Sequence, residues 1–405
     1  MKTFIGYTEA LALTKSMVPL MKSEVLPLDR LTGEILAEDI VSKVDSPSVN
    51  CSLRDGYAIH ASDLSGAAPK KPVHLKLAGS ITAGKLSDLS VSHGQTVKIT
   101  TGAPIPSGAD AVIADEFCRK EGDEILCFRG MEPSRNVLRR GTDIGCGQTV
   151  VGQGERLSPP AIGLLASAGL DQALVYASPR VAVIATGDEI VAPGHPLPKG
   201  KLYASNLVEI CSWLTLLGLP FELEVVPDRR EDIKAAITRL QPHVDAYVTS
   251  GGAWGSERDL MINVLDELDW QGIYHRVRMG PGKAVGFGLL AENPFFCLPG
   301  GPPSNEVAFL QLALPGLMAM KGYRHPLFPV LSLSLTESVR GDQEWTQFIH
   351  ARRVTQKGQI AVQPIRQGSR LRSMAEKEAL IIIPEGCEGF VEGENVEIQI
   401  LAPLP

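Results

Sequence analysis

No apolar run in this chain is long enough to span a bilayer, no two cysteines stand at C-x-x-C spacing, and positive charge is not in excess. Each absence removes a class of function. Without a stretch of about 20 apolar residues there is no membrane-spanning helix, and no membrane partner is expected. The N-terminal MKTFIGYTEALALTKSMVPL is broken by Glu9, Thr14, Lys15 and Ser16, so it lacks the apolar core of a signal peptide. It reads instead as an amphipathic helix beginning near Tyr7. Thr8 is the expected cap, and Glu9 in the first turn suits the helix dipole. The seven cysteines, Cys51, Cys118, Cys127, Cys146, Cys211, Cys297 and Cys387, are odd in number and scattered. That pattern signals neither a zinc site nor a redox dithiol, and reduced thiols in a cytoplasmic enzyme fit it best. A formal net charge of −7 leaves no overall basic footprint, so no nucleic-acid partner is expected.

What the chain does have is length and punctuation. Its 405 residues allow about three domains, and its 40 glycines and 29 prolines point to many specially shaped turns. Residues 4–43 read as helix and then extended chain. From Pro47 the texture becomes β-rich, with strands expected at 73–78, 96–100, 111–114 and 124–127. A glycine-rich passage over 141–154 leads into a helix at 159–168, with Pro159 and Pro160 in its first turn. A third texture begins at Arg180. Strands at 181–185, 221–226, 246–248 and 295–298 alternate with helices at 205–217, 231–240 and 260–268, which means parallel βαβ units over about 178–326. From Pro329 onward LSLSL, FIHARRV, ALIIIP and VEIQIL are β again.

In a parallel sheet ligands sit beyond the carboxyl ends of the strands, and several loops fall there. Thr249-Ser250-Gly251-Gly252 follows a strand and precedes a helix, an arrangement that aims backbone N–H groups at an anion. The plain alternative is an ordinary turn with Asp259 starting the next helix. Thr186-Gly187-Asp188-Glu189 sets two adjacent acids at a strand end, to hold a divalent cation or to begin a helix. In the β-rich part, Asn50-Cys51-Ser52-Leu53-Arg54-Asp55-Gly56-Tyr57-Ala58 contains Asp55 before a glycine, equally a D-G turn. Thr100-Thr101-Gly102-Ala103-Pro104-Ile105-Pro106 is a stiff loop that positions a hydroxyl or simply ends a strand. Arg139-Arg140-Gly141-Thr142-Asp143 sets two guanidinium groups beside a carboxylate, for an oxyanion or for a surface ion pair.

The ordered set NCSLRDGYA, TTGAPIPSGADAV, RRGTDI, ATGDEI, YASN, TSGGAWGSERD, GPGKAVGFG and LPGGPPS resembles the molybdopterin molybdenumtransferase family, from about residue 6 to the C-terminus. The resemblance implies a multidomain α/β and β fold: a parallel-sheet molybdopterin-binding domain (178–327), an inserted β-rich domain (46–140), an elongated linking domain (1–45 with 141–177) and a C-terminal β domain (328–405). It implies an L-shaped homodimer acting last in molybdenum cofactor synthesis. Molybdenum from molybdate enters adenylylated molybdopterin and AMP leaves. A molybdopterin adenylyltransferase acts upstream, and molybdoenzyme apoproteins or chaperones receive the product. By the same resemblance Asp55, Asp143, Asp259 and Lys283 carry the chemistry, and Asp188, Glu189 and Asp259 hold Mg²⁺. Thr101, Ser250, Gly251, Gly252, Trp254, Pro299, Gly300, Pro302 and Ser304 bind the substrate.

Departures from the family pattern accompany the matches. Ala253-Trp254-Gly255-Ser256 replaces the middle of S-G-G-V-S-x-G-x-x-D. K-P-G-K has become Gly280-Pro281-Gly282-Lys283, and L-P-G-N-P has become Leu298-Pro299-Gly300-Gly301-Pro302. Arg54 adds a charge beside Asp55, which suggests compensation for the lost cation at Gly280, and Trp345 stands where an arginine is common. An indole at Trp254 would stack on a pterin or purine. Three readings therefore compete: a metal-inserting transferase, with molybdate or tungstate as its oxyanion; a non-catalytic molybdopterin carrier or regulator; and the related adenylyltransferase.

Overall fold

The computed structural model describes residues 1–251, 260–325, 328–356, 358–366 and 369–401. The core of its largest sheet is four parallel strands, Val181–Thr186, Phe221–Val226, Ala246–Ser250 and Asn293–Leu298, in the spatial order Phe221, Val181, Ala246, Asn293. The first strand is buried along its whole length, as expected where helices cover both faces. Period-two alternation divides its side chains. Val181, Val183 and Ala185 pack with Leu207, Ile210 and Leu214 of the helix Ser205–Leu216. Ala182 and Ile184 face Ile233, Ala236 and Ile237 of the helix Arg230–Leu240, together with Met261 and Val264. The chain leaves the Val181 strand toward one side of the sheet and later continues on the other. The crossover direction therefore reverses between the Val181 and Ala246 strands, which opens a crevice at their carboxyl ends.

Two antiparallel strands, Gln271–Gly280 and Gly286–Leu290, extend this sheet, and neither is among the expected strands. Their glycines and charged residues hide the apolar alternation that strand recognition needs. The strand Lys2–Gly6 pairs in parallel with Gln271–Gly280. The N-terminal helix follows as Tyr7–Met17, but its cap is Gly6 without a side-chain bond, so Thr8 lies inside the first turn instead of capping it. Gln271–Gly280 also joins Thr346–Gln356 through Met279↔Thr346 and Gly280↔Gln347, carrying the sheet into the C-terminal region. There Thr346–Gln356, Gln359–Pro364, Val330–Leu335, Asn395–Ile400 and Ala379–Ile383 pair in sequence, and the last returns to the first. The ring closes around Leu335, Ala351, Val362, Ile381 and Ile398.

Elsewhere the chain folds back on itself. Ser23–Pro27 pairs with Gln172–Tyr176 and Ile40–Val41 with Thr149–Val151, around Leu31, Leu36, Leu157 and Leu165. Between these segments lies a six-stranded sheet containing Gly56–Ile59, Val73–Ile81, Gln95–Ile99 and Ala111–Ala114.

Candidate functional site

Ser250 ends its strand opposite Ala185 on one side and Leu298 on the other. The next residue, Gly251, takes φ +100°, and a Cβ there would stand 2.9 Å from the Thr186 carbonyl oxygen. Only glycine lets the loop lie that close to the neighbouring strand end. Its N–H donates to the Leu298 carbonyl at 3.1 Å. Two buried amides then tie three loops together. Asn206 Nδ2 donates to Ser250 Oγ at 3.1 Å and to the Gly300 carbonyl at 2.9 Å. Asn305 Nδ2 donates to the same Ser250 Oγ at 3.1 Å and to the Pro299 carbonyl at 2.9 Å. A hydroxyl has two lone pairs and one proton, so Ser250 has its acceptor capacity filled and its proton left for a third partner. The cleft so formed, about 90 Å³, is lined by Thr186, Glu189, Tyr203, Asn206, Ser250 and Gly300 among others. Pro302 and Pro303 open the helix Pro302–Ala308 without N–H groups, which makes Ser304 the first backbone donor of that terminus.

An acidic rim borders this cleft. The Asp228 N–H donates to Asp188 Oδ1 at 3.3 Å. Partial burial, then the charges of Asp188 and Glu189, push the Asp228 carboxyl upward. Lys201 Nζ donates to the Asp188 carbonyl. Among the described residues no group of three or more His, Cys, Asp or Glu side chains is already arranged as a metal cage. Asp228 escapes motif reading, yet its place just beyond the Phe221–Val226 strand obeys the same strand-end rule as the other loops.

The Lys283 loop packs on the helix after Gly301. A Cβ on Gly282, at φ +113°, would be 3.3 Å from the Ser304 carbonyl and 3.4 Å from Ala308 N. Lys283 Nζ lies 5.8 Å from the Trp345 ring centroid, a cation–π distance. Glu306, in the same helix, turns to the C-terminal region. It is ion-paired to Lys377, and its Oε2 lies 3.5 Å from His350 Nε2. Burial and the adjacent Glu306 push Glu209 up to about 9, while the His350, Glu209 and Lys377 contacts hold Glu306 low against its own burial.

In the six-stranded part, Asp55 Oδ1 accepts from Thr101 N at 2.6 Å and from Thr101 Oγ at 3.0 Å. These bonds, with Lys98 as a lesser contributor, lower the Asp55 carboxyl; Arg54 is not among the causes. Arg54 instead lines a separate cleft with Arg129 and Arg135. Asp143 donates its N–H to the Ser46 carbonyl at 3.0 Å, and its charge helps raise the Cys51 thiol, after burial. Among the described residues no hydrogen bond or ion pair joins Asp55, Thr101 or Asp143 to the crevice. Gly252, Trp254, Glu257 and Asp259 lie outside the described residues.

Comparison with known proteins gives this arrangement relatives. Residues 5–169 match the family described as MoeA N-terminal region (domain I and II), 182–319 the Probable molybdopterin binding domain, and 332–401 the MoeA C-terminal region (domain IV). The molybdopterin molybdenumtransferase of Haemophilus influenzae is 33% identical over 387 residues, covering 93% of this chain and 94% of that one. The chain belongs to the molybdopterin molybdenumtransferase family. Molybdopterin molybdenumtransferase 2 of Mycobacterium tuberculosis is 31% identical, with 92% and 94% covered. The solved molybdopterin biosynthesis moeA protein of Pyrococcus horikoshii OT3 superimposes with a TM-score of 0.84 at 27% identity, covering 98% of this chain and all of that one. The expected fold class, α/β with an inserted β part and a C-terminal β domain, is the fold observed. Within this family frame the crevice lies inside the molybdopterin-binding segment, and the departure at Trp345 is where Lys283 rests its charge.

Proposed function

We propose that this chain inserts molybdenum from molybdate into adenylylated molybdopterin with release of AMP, the last step of molybdenum cofactor synthesis. The observation that carries the reading is the crevice at Ser250, built from glycine, buried amides and one available hydroxyl proton within the family's molybdopterin-binding segment. Ser250, Gly251 and Gly252 hold phosphate or pterin through hydroxyl and backbone donors. Pro299, Gly300, Pro302 and Ser304 form the rigid wall, with Trp254 stacking on a ring. Lys283 supplies a point charge to phosphate or molybdate. Like-charge crowding at Asp188, Glu189 and Asp228 suits a cation, so these three with Asp259 would hold Mg²⁺. Bound there, the ion would neutralise the phosphoanhydride.

Asp55 is kept ionised by Thr101, so it serves as an acceptor and not as an acid. Because this pair stands apart from the crevice of its own chain, Asp55, Thr101 and Asp143 are proposed to reach the crevice of a second subunit in a homodimer. Preorganised electrostatics would supply most of the rate. The enzyme would work in the cytoplasm, between a molybdopterin adenylyltransferase and the apoproteins or chaperones that receive the cofactor; no helix among the described residues is long and apolar enough to cross a membrane.

The test is incubation with adenylylated molybdopterin, Mg²⁺ and either molybdate or tungstate, following AMP release and reconstitution of a cofactor-free molybdoenzyme. Oxyanion-dependent AMP release is the expected result, and tight binding without turnover would overturn it. Mixing D55N with K283A protein should restore activity that neither variant has alone. No recovery in the mixed protein would rule out a site shared between subunits.

A further inference from the structure

The six-stranded part carries a second concave site that the crevice chemistry does not use. Arg54, Arg129 and Arg135 line one cleft of about 410 Å³, together with Phe117, Glu116 and Glu132. Among the described residues none of the three guanidinium groups is ion-paired, whereas the nearby Arg119 and Arg140 are. The backbones of Arg54 and Arg135 and the guanidinium of Arg129 are nevertheless held in place. Arg54 N–H donates to Ser52 Oγ at 3.2 Å, and Ser52 Oγ donates back to the Arg54 carbonyl at 2.6 Å. The Arg129 guanidinium lies 4.6 Å from the Phe117 ring centroid. Arg135 accepts at its carbonyl from Val112 N at 3.0 Å, which fixes it to the Ala111–Ala114 strand. It is flanked by Ser134 at φ +66° and Asn136 at φ +59°. Left-handed backbone at a serine is costly and persists where surrounding structure imposes it.

Three guanidinium groups without ion-pair partners repel one another, and against Glu116 and Glu132 they leave the cleft wall with an excess of positive charge, which concentrates the opposite ion. Guanidinium forks match the oxygens of a tetrahedral dianion in pairs. We propose that this cleft is an anion site for a tetrahedral dianion, free or carried as the phosphate group of a small ester. Asp55 does not line it, and the proposal does not rest on the reading of the crevice. Its volume falls within the range of about 300–1,000 Å³ typical of small-molecule sites, which leaves room for an ester beyond the ion itself.

Calorimetry at low and high salt with inorganic phosphate, molybdate and ribose 5-phosphate tests this on wild-type protein, the R54Q/R135Q variant and S250A. Leaving Arg129 in place preserves its stacking on Phe117, and matched thermal melts check the fold. At least one probe should bind the wild type, weaken with salt, lose affinity about tenfold or more in R54Q/R135Q, and bind S250A unchanged. Tighter binding of ribose 5-phosphate than of both ions would assign the cleft to a carried phosphate, and equal binding to a free oxyanion. The proposal fails if R54Q/R135Q binds every probe like wild type, if wild type binds none at millimolar concentration, or if S250A alone abolishes binding. AMP release is read separately, so failure here leaves the transferase reading standing.

Discussion

Asn305 and Glu306 are neighbours in one short helix and face two differently built regions. Asn305 turns to the crevice, where every contact described around Ser250 is a neutral hydrogen bond between amide, hydroxyl and carbonyl. Glu306 turns to the junction with the C-terminal region, where it is ion-paired to Lys377 and lies among His350 and the raised carboxyl of Glu209. The crevice keeps unused donor capacity for a ligand. The junction turns its polar groups on one another: Glu306 Oε2 and His350 Nε2 face each other at 3.5 Å, close enough to interact though, among the described residues, neither makes a hydrogen bond. Neutral donors can wait exposed in a binding site at little cost, whereas buried charges must be paired within the fold. The difference teaches that binding and cohesion are separated here by a single step along one helix.

Variants that disturb one region and spare the other test this separation. The largest effect is expected from K377M, which strands Glu306 as a buried anion and should cost about 3–5 kcal/mol of stability. Denaturant unfolding measures it, and E306Q/K377M should recover much of the loss. A wild-type unfolding curve for K377M would deny the junction its structural role.

The junction should also respond to pH. Glu209 is raised in the folded protein, so between the ordinary carboxylate value of about 4.3 and its own value of about 9 the folded state holds a proton that the unfolded chain has released. Stability therefore falls as pH rises through that window, by at most about 1.4 kcal/mol per unit from this group. Glu306, depressed, contributes stability above the ordinary value that is lost on acidification toward its own value of about 2. E209Q should flatten the alkaline slope, and an unchanged slope in melts across pH 5–9 would contradict it. The smallest stability change belongs to the crevice. G251A meets Thr186 and a left-handed backbone, and should cost about 1–3 kcal/mol. Its main effect should be weaker binding of adenylylated molybdopterin, read by calorimetry; unaltered binding would remove Gly251 from the site.

Much of the crevice is legible in the amino-acid sequence because its parts are local. A strand, a glycine turn and a helix start are written within about 15 residues of one another, and parallel alternation places their ends together. Asp228 and Asn305 are not legible there, since their roles depend on strand order and on where one amide points. The junction is less legible still. Glu209, Glu306, His350 and Lys377 come from two helices, a strand and the residue that ends a third helix, spread over much of the second half of the chain, and no spacing rule links them. The place of Arg54 could not be read from its neighbour. Both residues lie in the bend before the Gly56–Ile59 strand, and there the Arg54 side chain lines a cleft that Asp55 does not.

The continuous sheet has a mechanical consequence. Among the described residues two pairs, Met279↔Thr346 and Gly280↔Gln347, join the parallel sheet to the closed C-terminal ring along the backbone ladder. Lys283 follows this seam within a single turn, and its ammonium rests on Trp345 from the far side. The seam is therefore narrow, with a positive charge mounted beside it. Lys283 comes from the parallel-sheet side and Trp345 from the ring side, so a cation of one region is held by an aromatic face of the other.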